Sequence, residues 1–169
     1  MLRRGELLAL AGKASEAVQT INAGISAFRS TGASIFVPWW LAHLATSNAE
    51  LGQFDEAWRC LDEAMSTVER TREKWCEADV NRIAGEIALK SAEPKQAQAY
   101  FERALELAGK QQAKSWELRA ATSLARLWRD QGRRAEAREL LSPIYGWFTE
   151  GFDTRDLREA KALLDTLAA

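Results

Sequence analysis

The sequence is poor in residues that interrupt helices, since only 3 prolines and 10 glycines occur in 169 residues. Runs of valine, isoleucine and threonine, which favour strands, are also few. Alanine, leucine, glutamate and arginine dominate instead, and all four are strong helix formers. The composition, 47% hydrophobic and 28% charged, therefore predicts an almost entirely helical chain that can bury a core.

Cysteine and histidine are scarce, which limits the chemistry that the chain can carry. Cys60 and Cys76 form no spaced framework, so two reduced thiols are expected. His43 is the single histidine, which leaves little for a histidine-based metal site or a Ser-His-Asp arrangement. No G-x-x-x-x-G-K-[ST], GxGxxG or CxxC motif occurs. The sequence thus predicts a non-enzyme without catalytic residues, cofactor or metal.

The charge balance argues against a polyanionic partner, because the formal net charge is −1. Arginines concentrate in residues 119–138, but acids are interleaved with them, which disfavours nucleic-acid binding. No apolar run approaches the ~18 residues that a membrane span needs. Glu6 also interrupts the short apolar stretch that follows the basic N-terminus, so a signal peptide is not expected. We expect a cytoplasmic protein that binds neither nucleic acid nor membrane.

A short phrase that ends in alanine returns every 40 residues. Its four copies read GKASEA (12–17), GQFDEA (52–57), AEPKQA (92–97) and GRRAEA (132–137). Apolar or small residues follow that alanine at offsets 4, 7 and 8, which describe one face of a helix. A second amphipathic helix precedes the phrase, and its residue twelve before the alanine is always small: Gly5, Ala45, Gly85 and Ala125. Each unit therefore predicts two helices, named helix A and helix B.

The start of the phrase predicts the turn between the two helices. Helix A is expected to end at about Ala11, Leu51, Ser91 and Gln131. The glycine that follows in three units suits a left-handed C-cap, where a side chain would clash. In the third unit Ala92 replaces that glycine, and Pro94 suits the first turn of helix B. The alanine of the phrase would let helix B lie close to helix A.

This order of small and large residues resembles the tetratricopeptide repeat (TPR), and the best match is AELGQFDEAWRCLDEAM. The resemblance implies an all-α fold, a TPR-like right-handed superhelix of antiparallel helix pairs with about 40 residues per repeat and a C-terminal capping helix. The whole chain, 1–169, is interpreted as a single TPR-like domain. Its expected units are about 1–30, 38–70, 77–108 and 117–147, with the cap helix at 154–168.

The resemblance also implies a concave groove that is lined by helix A. The partner-binding residues carried over from the family pattern are Trp39, His43, Thr46, Asp79, Arg82, Glu86, Arg119, Ser123, Arg126 and Arg129. Arginine forks suit carboxylates, so an acidic peptide is one expected partner. The alternative is that these arginines only solubilise the surface or pair with Glu136 and Glu139. Of two adjacent tryptophans, Trp40 is expected to pack inward and Trp39 to face the groove or an interface.

A narrower resemblance covers residues 112–164, which look like the TPR tail of bacterial predicted-ATPase or adenylate/guanylate cyclase-like regulators. It implies that the chain is a piece of a larger signalling protein. The main hypothesis is a protein–protein interaction scaffold that binds a peptide or a neighbouring domain in its groove. The alternative is a structural module that forms a homodimer through the first unit, whose helix A starts without a capping box.

Overall fold

The computed structural model describes residues 1–168, apart from the side chain of Leu10, and these residues form nine α-helices. The helices are α1 (Leu2–Leu10), α2 (Ala14–Arg29), α3 (Val37–Glu50), α4 (Phe54–Thr71), α5 (Glu77–Lys90), α6 (Pro94–Lys110), α7 (Lys114–Asp130), α8 (Arg134–Gly146) and α9 (Arg155–Ala168). A short 3-10 turn, Lys74–Cys76, precedes α5. Helix A of each unit is α1, α3, α5 or α7, and helix B is α2, α4, α6 or α8.

Small residues on helix A allow the two helices of each pair to approach closely. Gly5 and Gly85 occupy this position in the first and third pairs. A methyl group on Gly5 would overlap the side chain of Ile21, and one on Gly85 would overlap Phe101. Ile21 and Phe101 are fully buried and lie four residues after the alanine of the phrase. The repeated small residue is therefore explained by direct contact with the large residue of helix B.

The turns within the pairs adopt the left-handed conformation that the glycines predict. Gly12, Gly52 and Gly132 have φ angles of 73°, 74° and 81°. Ala92 takes the same place in the third pair with φ of 60°. Because a Cβ atom in this region costs about 1–2 kcal/mol, the third turn is strained where the other three are not.

The pairs stack in chain order into a right-handed TPR-like superhelix. Successive A helices contact one another, whereas each B helix contacts the A helix of its own pair and of the next pair. The A helices therefore form the inner, concave side. α9 packs on α7 and α8 where a further A helix would lie, and it buries Leu157, Ala160, Leu163 and Leu167. Asp165 of α9 is exposed and pairs with Lys161, which gives this end of the array a solvated face.

Candidate partner-binding groove

α3 brings three of the predicted groove residues to the inner side of the array. Trp39 and His43 are half-buried, and their ring centroids are 4.7 Å apart in an edge-on arrangement. Thr46 follows on the same face and donates its hydroxyl proton to the carbonyl oxygen of Ala42 at 3.2 Å. Trp40 is buried, as expected, because adjacent helical residues point about 100° apart.

Polar side chains join α5 to α7. Asp79 is buried, and its Oδ1 accepts a hydrogen bond from Arg82 Nε at 2.7 Å. Burial opposes the charge of Arg82, but the Asp79 carboxylate holds its pKa above the usual value. Glu86 lies 3.7 Å from the Arg82 guanidinium, and its Oε1 accepts a hydrogen bond from Ser123 Oγ at 2.6 Å. Four predicted residues thus form one network of two hydrogen bonds, joined by an ion pair, across two helix pairs.

Two arginines of α7 are paired with acids of α9. Arg119 Nε donates to Asp156 Oδ2 at 2.6 Å, and Arg126 Nη2 donates to Glu159 Oε2 at 2.7 Å. The sequence reasoning missed both acids, although they follow their arginines by 37 and 33 residues, close to the 40-residue period. Glu159 also accepts a hydrogen bond from Arg155, and Arg126 and Arg155 together lower its pKa.

The expected alternative, pairing of the α7 arginines with acids of α8, does not describe the structure. Glu136 accepts hydrogen bonds from Arg133, which directly precedes α8, and not from α7. Arg129, the remaining predicted arginine, pairs with the adjacent Asp130 at 2.8 Å and lies outside the network. Since every predicted groove arginine has an acid of its own chain, these arginines present little net positive charge to an acidic peptide.

Three tryptophans meet near the N-terminal ends of the inner helices: Trp39 in α3, Trp116 in α7, and Trp75 in the 3-10 turn that precedes α5. Trp39 stacks on Trp75 and Trp116 with ring centroids 5.7 Å and 6.0 Å apart. Trp75 and Trp116 are 6.0 Å apart, and Trp75 Nε1 donates a hydrogen bond to the carbonyl oxygen of Ile35. Trp39 belongs to the second pair and Trp116 to the fourth, so their contact crosses the pair between them. The groove is therefore bounded on this side by aromatic rings.

A cavity of about 740 Å³ lies on the inner side of the first two pairs. His43 and Thr46 line it together with Glu6 of α1. Lys13, from the turn that precedes α2, and Arg155, the first residue of α9, also reach it. This volume falls within the roughly 300–1,000 Å³ that is typical of ligand sites. Sequence reasoning found two of these five residues, because Glu6, Lys13 and Arg155 come from segments outside the three groove helices.

His43 contributes a neutral polar group to this cavity. Burial lowers its pKa below the usual 6.5; the carboxylates of Glu6 and Asp79 oppose this, and Arg82 and Arg119 add to it. The imidazole is therefore uncharged at pH 7. Its Nε2 atom is buried and has no hydrogen-bond partner among the described side chains and backbone. An unpaired buried polar atom is costly to the fold, and this nitrogen is closed to a ligand in the cavity.

The other reactive side chains offer little chemistry. Burial raises the pKa of Cys76 to about 12, and burial also raises the pKa of Cys60, so neither thiol is ionised at neutral pH. Within residues 1–168, no group of three His, Cys, Asp or Glu side chains is placed to hold a metal ion. In the same part of the chain, no helix has the length and apolar character needed to cross a membrane. The inner side offers hydrogen-bonding and aromatic surface.

The fold is shared with solved TPR-like repeat proteins. The chain is similar to the crystal structure of a putative kinesin light chain of Podosopora anserina with nearly identical TPR-like repeats. That match has a TM-score of 0.70 and 17% sequence identity, and it covers 98% of this chain and 82% of that chain. A single-substitution variant of the same protein matches with a TM-score of 0.71, 17% identity and the same coverage. At this identity the likeness concerns the fold. No family model and no curated protein matches the sequence.

Proposed function

We propose that this chain is a protein-interaction scaffold module, not an enzyme, and that it binds a peptide or a neighbouring domain in its concave groove. The observation that carries the proposal is the 740 Å³ cavity on the inner side, which is lined by His43 and Thr46 of α3. The TPR-like fold supports it, since helical repeat arrays present extended concave surfaces for binding. We place the protein in the cytoplasm.

The remaining predicted groove residues support binding through their rigidity and their spare donors. Asp79, Arg82, Glu86 and Ser123 hold one another in place, so little side-chain freedom would be lost when a partner binds. A guanidinium carries five N–H donors, and Arg126 uses one of them on Glu159. The other donors remain for backbone carbonyl oxygens of an extended peptide.

The test is selection of a random 12-residue peptide library on the immobilised chain, followed by fluorescence anisotropy with a selected, labelled peptide. Thr46→Arg places a long side chain in the groove, and we expect it to weaken binding by about tenfold or more. Glu139→Arg, at an exposed position on the outer helix α8, is the matched control and leaves affinity unchanged. The proposal fails if no peptide is enriched, or if Thr46→Arg binds as the unaltered chain does while keeping its helical circular dichroism.

We further propose that the array is the regulatory part of a larger signalling ATPase or cyclase-type protein. This step is supported by the resemblance of residues 112–164 to the TPR tails of such regulators. An immunoblot of the native cells with an antibody against this chain tests it. A band several times larger than 18.9 kDa is expected, and a band at that mass would refute it.

Self-association through the first pair is a second candidate, and the exposure of α1 favours it. Leu7 is 66% exposed, whereas the residues at the same place in the next three A helices, Ser47, Ile87 and Leu127, are 1–5% exposed. Arg4 interrupts this apolar face, and in a symmetric dimer it would bring like charges together. Light scattering at high micromolar concentration tests this candidate, because a monomeric mass there contradicts it.

A further inference from the structure

The lining of the 740 Å³ cavity is rich in hydrogen-bond acceptors. Thr46 donates its only hydroxyl proton to the carbonyl oxygen of Ala42. Ser47, which also lines the cavity, donates its proton to the carbonyl oxygen of His43 at 3.1 Å. The hydroxyl oxygen of Thr46 therefore keeps only lone pairs for a ligand, whereas Ser47 is 1% exposed and closed to one. The neutral imidazole of His43 adds one more acceptor nitrogen.

One carboxylate of the lining is free of an ion pair. Glu6 is half-buried and forms no salt bridge with any described residue of the chain. Glu50, which also lines the cavity, forms an ion pair with Lys90. A half-buried carboxylate that forms no ion pair interacts more strongly with an incoming cation than an exposed one does.

The two cationic side chains of the lining already form ion pairs and lie at its rim. The side chain of Lys13 is 57% exposed and pairs with Glu16 at 3.3 Å. The side chain of Arg155 is 71% exposed and pairs with Glu159 at 2.7 Å. Glu6 is less exposed than either of them. An anionic ligand would therefore meet satisfied cations at the rim and an unpaired carboxylate further in.

We infer that the cavity binds a cationic hydrogen-bond donor, an ammonium or guanidinium group, with Glu6 as its counter-ion and Thr46 and His43 as acceptors. This cationic group belongs to a lysine or arginine side chain of the bound peptide, an assignment that rests on the proposed function. A free amine shares the same chemistry, and the two sources are separated by the probes below. This partner chemistry is opposite in sign to the acidic peptide that the arginines of α7 suggested.

His43 supplies the readout, because the only imidazole of the chain gives a single pair of ring proton signals in an NMR spectrum. The full chain is titrated with N-acetyl-arginine amide and N-acetyl-lysine amide as peptide-like probes, and with spermidine as a free amine. N-acetyl-citrulline amide is the neutral isostere of the first probe. We expect a saturable shift of the His43 signals with the cationic probes and none with citrulline. Stronger binding of spermidine than of either amino-acid probe would assign the cavity to a free amine and overturn the peptide source.

Variants of Glu6 identify the counter-ion. Glu6→Gln should weaken binding of N-acetyl-arginine amide by about tenfold, whereas Glu6→Asp keeps the charge and most of the affinity. Glu139→Gln removes an exposed carboxylate on the far side of the array and leaves binding unchanged. An absent shift, an equal shift with citrulline, or full affinity in Glu6→Gln overturns the inference. The peptide-library result is independent, so acidic peptides that bind without a basic residue would refute this cationic site and leave the scaffold function standing.

Discussion

Replacement of Ala92 by glycine should stabilise the chain. Ala92 has φ of 60°, in the place where the other three pairs have glycine. Relief of the strain of the left-handed conformation should raise the free energy of unfolding by about 1–2 kcal/mol. The greater conformational freedom of glycine in the unfolded chain should lower the free energy of unfolding by about 0.4–1 kcal/mol. Ala92 is exposed, so the lost methyl group removes no buried contact. The expected net gain in the free energy of unfolding is about 0.5–1 kcal/mol.

The reciprocal variant, Gly52→Ala, provides the matched control. A Cβ atom on Gly52 would meet no atom within 4 Å, so the substitution alters only the backbone energy at φ of 74°. We expect it to lower the free energy of unfolding by about 1 kcal/mol. Urea unfolding of both variants, followed by far-ultraviolet circular dichroism and by tryptophan fluorescence, measures the difference and shows whether the two probes coincide. A neutral or destabilising Ala92→Gly, with Gly52→Ala lowering stability as expected, would show that Ala92 carries no backbone strain.

Two further outcomes follow from buried groups. The folded pKa of His43 lies below 6.5, so the unfolded chain takes up this proton first, and stability should fall as the pH drops below 6.5 until the folded pKa is passed. Urea midpoints at about pH 7.5 and 5.5 test this: the fall should be smaller in His43→Gln, and an equal fall would contradict it. Gly85→Ala should destabilise the chain by about 1–3 kcal/mol, because the new methyl group overlaps Phe101. A Phe101→Leu background should reduce that loss in the same urea assay, and an undiminished loss would refute the steric explanation.

The helix pairs could be predicted from the sequence because their determinants are local. A glycine at the turn and a small residue twelve positions before the alanine of the phrase act within one 40-residue unit. The predicted A-helix ends, such as Leu51 and Gln131, are the C-cap residues that directly follow α3 and α7. Trp40 lies in the core and Trp39 is half-buried, as expected, because adjacent helical residues point in different directions.

The ion pairs of the groove could not be predicted from the sequence in the same way, because they depend on contacts between units. The α7 arginines had candidate acids on α8 in the sequence, but the side chains that reach them, Asp156 and Glu159, come from α9. The repeat pattern describes which face of α9 is buried and gives no information on the polar face it turns to α7. The cavity was missed for a similar reason, since Glu6 and Arg155 lie at opposite ends of the chain.

The contact between Trp39 and Trp116 has a consequence for how the array comes apart. In a linear repeat array each unit touches only its neighbours, so units can fray one at a time from either end. Here the second and fourth pairs also touch each other through Trp39 and Trp116, and Trp75, which directly precedes the third pair, contacts both rings. Opening any one of these three pairs removes contacts of the other two. Residues 37–146 should therefore exchange their amide hydrogens as one cooperative block, while α1 and α2 open at lower cost.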